Sequence, residues 1–384
     1  MLKLNRLLYS TTDSNLFLHQ IEPTAALRKV LVDAKTKIRE YLKPRVAAAT
    51  VKVLGMDRAV TPRFRTQGSW AYQTCVQPAF APPQEMDWDY GMYLPMTDWE
   101  ENGPPHAMAK AYFSLVEGLL ADLCKQEGWK MNQPEPNNNC IRIHVSTTAH
   151  IDLPLYAADA AEFEKIVERE AVAKGTMVRA DSVSVFDSAQ TWDQLKHIVL
   201  ATRKGEWKKS DPQQVANWFK DRMLEHRDQL RRVCRYLKAW RDFHWKSGGP
   251  SSVLMMIIVA RNFVCHHGRD DLALEAAAAV LSRDFNLDVH VRAINEGAEN
   301  FNRLSTEERN FASTNAASLY ETIRQARMLN VPYAQTAVDK VRSVLGQRIP
   351  DRVALVEPDS GELSIRETPA RRQPPPAVAA TSAG

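Results

Sequence analysis

The stretch Glu85-Met86-Asp87-Trp88-Asp89-Tyr90-Gly91-Met92-Tyr93-Leu94-Pro95 decides how the rest of the chain is read. Acids alternate with large rings at its start, the two-residue period of a strand, and the spacing predicts a strand over 87–94. Successive strand side chains point to opposite faces, so Asp87 and Asp89 share one face while Trp88 and Tyr90 take the other. Neighbouring carboxylates repel unless a cation lies between them. Hard divalent ions such as Mg2+ prefer oxygen ligands and keep positions open for phosphate. A third acid, Asp152, stands in His150-Ile151-Asp152-Leu153-Pro154, within a strand expected over 151–155. If the two strands are neighbours, three carboxylates converge at one sheet edge. That is the ligand set of a two-metal displacement at phosphorus. An isolated Asp-x-Asp pair says little, because most surface aspartates are merely solvated.

Outward from this stretch, the chain divides by texture. Leu27, Val30, Leu31, Ala34, Ile38 and Leu42 carry the spacing of an amphipathic helix over 24–42, with Pro44 expected to stop it. A helix over 107–127 lies between the strand at 87–94 and a further strand over 141–145. From 212 to about 346 the periodicity is helical, in segments 212–226, 228–246, 251–265, 271–283, 306–327 and 331–346. The division expected is a sheet-bearing unit over 1–211, a helical lobe over 212–356 and a tail over 357–384. Large apolar residues are almost absent from that tail, which carries Arg371-Arg372-Gln373-Pro374-Pro375-Pro376, so a disordered segment is expected. The fold class is α+β.

Composition excludes more than it identifies. The 384 residues are 44% hydrophobic and 25% charged, as in a soluble globular protein of two or three domains. The longest apolar run, 253–260, is closed by Arg261 and falls far short of a membrane span. The N-terminus has no sustained apolar core before a small-residue cleavage site, so no secretory signal is expected. Five cysteines without a Cys-x-x-Cys pair suggest neither a zinc ribbon nor a disulfide framework, and a reducing cytoplasm is the natural reading. Cys265, His266 and His267 are too compact to form a tetrahedral site alone. A net charge of +4 does not by itself announce nucleic acid.

Upstream of the acidic strand stands Gln67-Gly68-Ser69-Trp70-Ala71-Tyr72. Gly-Ser at the start of a helix offers backbone N–H groups and a hydroxyl to a triphosphate; the plainer use of such a serine is as a cap. Lys238 falls on a helix that also bears Arg227, Arg231, Arg232, Arg235 and Arg241, a face suited to triphosphate or simply solvated. Ser252 follows Gly248-Gly249-Pro250-Ser251, where a helix opens. Arg142, on the strand before Asp152, is placed either to reach an acceptor's phosphates or to sit on a solvent face.

Gly-Ser, then Asp-x-Asp, then a lone Asp on a later strand is similar to the motif order of the polymerase-β-like nucleotidyltransferases. With NNNCIRIHV, HIDLPLY, GEWKKSDPQQVANWF and RYLKAWRDFHWKSGGPSSVLM added, the chain resembles the cGAS/DncV-like family, nearest to the DncV-type cyclic GMP-AMP synthases. The matching points run in order from about residue 64 to 260. The resemblance implies a bilobal nucleotidyltransferase fold, with its site between a mixed sheet and a helical lobe. It implies that Asp87, Asp89 and Asp152 hold two Mg2+ ions, with Mn2+ as a substitute. Gly68 and Ser69 would cradle the donor triphosphate beside Gln67, and Tyr72 would stack on a base. Ser210, Lys238 and Ser252 match positions that contact nucleotide or phosphate. The implied reaction joins ATP and GTP into 3′,3′-cyclic GMP-AMP, a second messenger read by a downstream effector in antiphage defence, in a bacterial cytoplasm. A linear oligonucleotide-forming transferase, or a non-catalytic nucleotide or RNA sensor, is the alternative. Without a zinc module, activation by DNA is not suggested. Related cyclases are conjugated through their last residue by a ubiquitin-ligase-like partner, which here points to Gly384. The loop 299–303 is a candidate for base reading.

Overall fold

The computed structural model describes residues 1–97, 104–131, 139–165, 198–209 and 212–359. A short strand, β1 (Leu2–Lys3), and two single-turn helices, α1 (Asn5–Leu8) and α2 (Phe17–Gln20), come first. Thr24 caps the long helix α3 (Ala25–Leu54), its hydroxyl accepting from the Leu27 amide. The helix does not stop near Pro44 but runs to Gly55, which ends it at φ +70°. Packing explains the difference. Leu31, Ala34, Ile38, Leu42, Val46, Thr50 and Leu54 form one continuous buried stripe, which outweighs the hydrogen bond Pro44 forfeits.

The sheet comprises β2 (Arg63–Thr66), β3 (Met86–Met96), β4 (Lys130–Met131), β5 (Ile141–Ser146), β6 (Ala149–Leu153), β7 (Leu155–Asp159), β8 (Ile198–Ala201) and β9 (Trp207–Lys209). The one-turn helix α4 (Gly68–Ala71) precedes β3, and α5 (His106–Glu127) follows it. β6 and β7 both run parallel to β3, pairing Asp89 with Asp152 and then Met92 with Leu155 in unbroken register. The strand expected over 151–155 is therefore longer and interrupted at Pro154, which has no amide to give to a ladder. Its carbonyl still accepts from the Met92 amide at 3.0 Å. Apolar residues of α3, α5 and the sheet, Trp88 and Tyr90 among them, share one core.

The helical part begins with α6 (Pro212–His244), broken at Arg227 with φ +57°, where the sequence divides 212–226 from 228–246. It continues with α7 (Ser252–Arg261), α8 (Asp270–Asp284), α9 (Thr306–Met328) and α10 (Ala334–Leu345). α7 ends earlier than expected, at Asn262, whose side-chain amide donates to the Ile258 carbonyl at 3.0 Å. The packing boundary also differs from the division by sequence. Leu2, Leu4, Leu7, Leu16, Phe17 and Ile21 enter the helical core, not that of the sheet. At the other end, β10 (Glu357–Pro358) pairs antiparallel with β1, so the first residues assigned to the tail are ordered. Residues 360–384 lie outside the described residues.

Candidate active site

A cleft of about 220 Å3 opens where the edge of β3 meets α6 and α7. Gly68, Ser69, Asp87 and Asp89 line one side, and Lys238, Arg241 and Ser252 the other. The alternation in Asp87-Trp88-Asp89 builds the first wall. Trp88 is turned away and stacks on Trp70 at 4.2 Å, while the Trp70 indole N–H donates to the Asp87 carbonyl at 2.8 Å. That contact fixes α4 against the strand bearing the acids. Gly68 has φ +58°, and a Cβ there would lie 1.9 Å from Asp89 Oδ2, so only glycine lets the carboxylate lie against this turn. Ser69 sits inside the turn and makes no capping bond; Gln67 holds the cap position. Gln67 points inward instead, its side chain meeting the Tyr93 hydroxyl at 2.5 Å, and it braces the turn beside Gly68.

The parallel register places Asp152 beside Asp89 and His150 beside Asp87. Asp152 is buried, and Arg142 grips it with two hydrogen bonds, Nε to Oδ1 at 2.7 Å and Nη2 to Oδ2 at 2.6 Å. Arg142 thus orients a carboxylate of the cluster. Burial, then the charges of Asp87 and Asp152, pushes the Asp89 carboxyl up to about 8. Asp87 Oδ1 is buried and makes no well-aligned hydrogen bond, with His150 Nε2 3.2 Å away. Mutually destabilised carboxylates with an unmatched oxygen fit a divalent cation, which would relieve both conditions.

Lys238 is buried in the opposite wall, and burial lowers its pKa. The rest of the basic stripe is dispersed. Arg232 reaches Asp270 at 2.6 Å, Arg231 pairs with Asp228 and Arg235 with Glu22. Arg241 alone among those arginines lines this cleft, donating to Ser252 Oγ at 2.9 Å and to Asp242. Ser251, not Ser252, caps α7, its Oγ accepting from the Leu254 amide, which leaves Ser252 free of that duty. Tyr72 borders this cleft and two further cavities, of about 270 and 530 Å3. Glu299, Phe301 and Arg303 line the larger one. Asn302 is buried and donates to the Phe285 and Leu287 carbonyls, a structural role within the same loop. Ser210 and Gly384 lie outside the described residues.

Sequence reasoning passed over Glu85, His144 and His150. Among the described residues, the groups of His, Cys, Asp and Glu close enough to share an ion are Glu85-His144-His150 and Asp87-His150-Asp152. The signal was present: the period of two that pairs Asp87 with Asp89 also puts His150 on the face of Asp152.

Two family models match the chain: the nucleotidyltransferase domain of DncV-like cyclic GMP-AMP synthases over residues 62–156, and the cyclic GMP-AMP synthase C-terminal domain over 227–358. This chain belongs to the DncV-like nucleotidyltransferases. The first match spans the Gly-Ser turn and all three aspartates, and the second carries Lys238, Arg241 and Ser252. A cyclic GMP-AMP synthase of Vibrio cholerae serotype O1 is 38% identical over 209 residues, covering 51% of this chain and 46% of that relative. One from Escherichia coli is 35% identical over 276 residues, covering 66% and 62%. The chain spans about half the length of the curated relatives it matches. In fold it is similar to Vibrio cholerae DncV bound to the linear intermediate pppA(3′,5′)pG, with TM-score 0.74, 24% identity and coverage of 93% of this chain and 98% of that one. DncV-like nucleotidyltransferases thus account for both the mixed sheet and the helical lobe. No helix among the described residues is long and apolar enough to cross a membrane.

Proposed function

We propose that this protein is a divalent-cation-dependent cyclic dinucleotide synthase that joins ATP and GTP into 3′,3′-cyclic GMP-AMP and releases pyrophosphate. The observation that supports it best is the placing of Asp87 and Asp89 on one wall of a cleft faced by Lys238 and Arg241, with Asp152 paired to Asp89 on the neighbouring strand. Asp87, Asp89 and Asp152 would hold Mg2+, or Mn2+ in its place. Such ions, when bound, acidify an attacking 3′-hydroxyl and offset the charge of a triphosphate. The chain's own groups do the rest. The turn at Gly68 and Ser69 receives the donor's phosphates, and Lys238 sets a positive charge opposite the acids. Arg142 holds Asp152 in the orientation the attacking hydroxyl requires, which makes it a positioning residue. Tyr72, at the junction of three cavities, offers a ring to a base. A linear dinucleotide triphosphate forms first, then turns so that its own triphosphate occupies the donor position. One set of acids therefore serves both bonds.

Purified protein is incubated with labelled ATP, GTP, CTP and UTP and Mg2+, then treated with phosphatase. A product that resists phosphatase and has the mass of a cyclic dinucleotide is expected. Phosphatase-trimmed linear oligomers would move the function to polymerisation, and nucleotide binding without pyrophosphate release would make the protein a sensor. Antiphage signalling to an effector and conjugation at Gly384 extend this reading through the family resemblance. Deleting Gly384 and finding conjugation intact beside the ligase-like partner would remove the latter.

A further inference from the structure

His150 sits where two sets of acids meet. Its side chain is only 9% exposed, and its two ring nitrogens face different surroundings. Nδ1 lies 2.7 Å from Glu85 Oε2, an oxygen that His144 Nδ1 also approaches at 2.9 Å. Nε2 is buried and makes no hydrogen bond, yet it lies 3.2 Å from Asp87 Oδ1 and 4.0 Å from Asp152 Oδ1. A carboxylate accepts only from a protonated ring nitrogen, and Glu85 is the nearer acid, 2.7 Å from Nδ1 against 3.2 Å between Asp87 and Nε2, which favours the proton on Nδ1. With Nδ1–H donating to Glu85, the lone pair stands on Nε2 and is directed at Asp87 and Asp152. A carboxylate that holds an imidazole so that its bare nitrogen faces further ligands is how proteins orient metal-binding histidines. Nε2 and oxygens of Asp87 and Asp152 all lie within 4.8 Å of one another, close enough to share one ion.

We infer that His150 is a nitrogen ligand to the divalent cation of this cleft, oriented by Glu85, and that it biases the site from Mg2+ toward Mn2+. The inference rests on the reading of the three aspartates as cation-holding. Its chemistry is simple. Mg2+ is hard and gains little from imidazole, whereas Mn2+, the first of the divalent transition series, gains somewhat more from a nitrogen donor and the later ions more still. The same geometry has a rival use, in which a protonated imidazolium serves as counter-charge to the acids and binds no metal. The two uses differ in sign. Removing a ligand weakens metal binding, and removing a positive charge strengthens it.

The test is electron spin-echo envelope modulation on the full, nucleotide-free protein loaded with Mn2+, which reads 14N bound to the ion. The wild-type protein is expected to show a nitrogen modulation that His150→Gln abolishes and His144→Gln keeps. Titration should show Mn2+ binding weakened about tenfold or more in His150→Gln, the scale set by losses around metal-bound histidines, with Mg2+ affected far less. Mn2+ bound without nitrogen modulation overturns the inference while leaving the aspartate site standing, as does a His150→Gln variant that binds Mn2+ at least as tightly as wild type. Failure of the wild-type protein to bind Mn2+ at all overturns both readings. Because the decisive signal comes from the unmutated chain, a variant that fails to fold does not blunt the test.

Discussion

Three residues make the active cleft a place of stored electrostatic and steric tension. Asp89, with its carboxyl pushed up from 3.8 to about 8, keeps a proton in the folded state that the unfolded chain gives up. The metal-free protein should therefore lose stability as pH rises between those two values, by on the order of a few kcal/mol. Thermal unfolding in EDTA should show this slope in wild type and a flatter, higher curve in Asp89→Asn. Gly68→Ala would drive a methyl into the Asp89 carboxylate at a φ that suits glycine alone. We expect it to cost about 1–3 kcal/mol and to abolish product formation, measured by denaturant unfolding beside the nucleotide assay. Arg142 holds Asp152 through two parallel bonds, a geometry lysine does not reproduce. Arg142→Lys should therefore lower kcat by tenfold or more, as a rough scale, and leave KM nearly unchanged. The aspartates were legible because strand alternation maps directly from sequence to face. Arg142's role was not, since only the register across β5 and β6 reveals that it stands opposite Asp152.

Elements were read well where one periodicity dominated and poorly where tertiary packing overrode a local signal. β3 and α5 end within a residue or two of expectation because their patterns are strong and turn residues bound them. α3 outruns Pro44 because its buried stripe continues, and Pro154 divides a strand that sequence alone gives as one. The arginines of α6 look alike in sequence, yet Arg231, Arg232, Arg235 and Arg241 find four different acids. Arg231 and Arg241 pair with neighbours in the same helix, whereas the partners of Arg232 and Arg235 come from α8 and from the segment after α2, which no local pattern reveals. The start of α8 is the strongest of these joints. Asp271 accepts from the Leu4 amide at 2.9 Å and from Arg269 Nε at 2.9 Å, and Arg269 reaches Asp359 at 2.8 Å. All of these side chains are almost fully buried, so Asp271→Ala should strand the Leu4 amide and leave Arg269 with Asp359 as its remaining carboxylate, costing about 2–3 kcal/mol. Urea unfolding monitored by tryptophan fluorescence would show the midpoint fall.

At the scale of the molecule, the two cores and the two ends of the described chain explain why the site holds its shape. The N-terminal residues leave the sheet and enter the helical core, where β1 pairs with β10. Gln84, in the loop before β3, donates to the Asp242 and Trp245 carbonyls at 2.6 and 2.8 Å and so ties the acidic strand to α6. Such long-range closures carry no sequence period, so the division expected at residue 211 does not reveal them, whereas the α+β fold was legible. In the proposed function, one cluster of aspartates serves both phosphodiester bonds. The most direct test is to feed ATP, GTP and Mg2+ to wild type, Asp87→Ala and Asp89→Ala proteins of matched folding, and to follow pyrophosphate release and cyclic product together. Each variant is expected to lose linear and cyclic product alike. A variant that keeps wild-type turnover at either step would contradict the proposal.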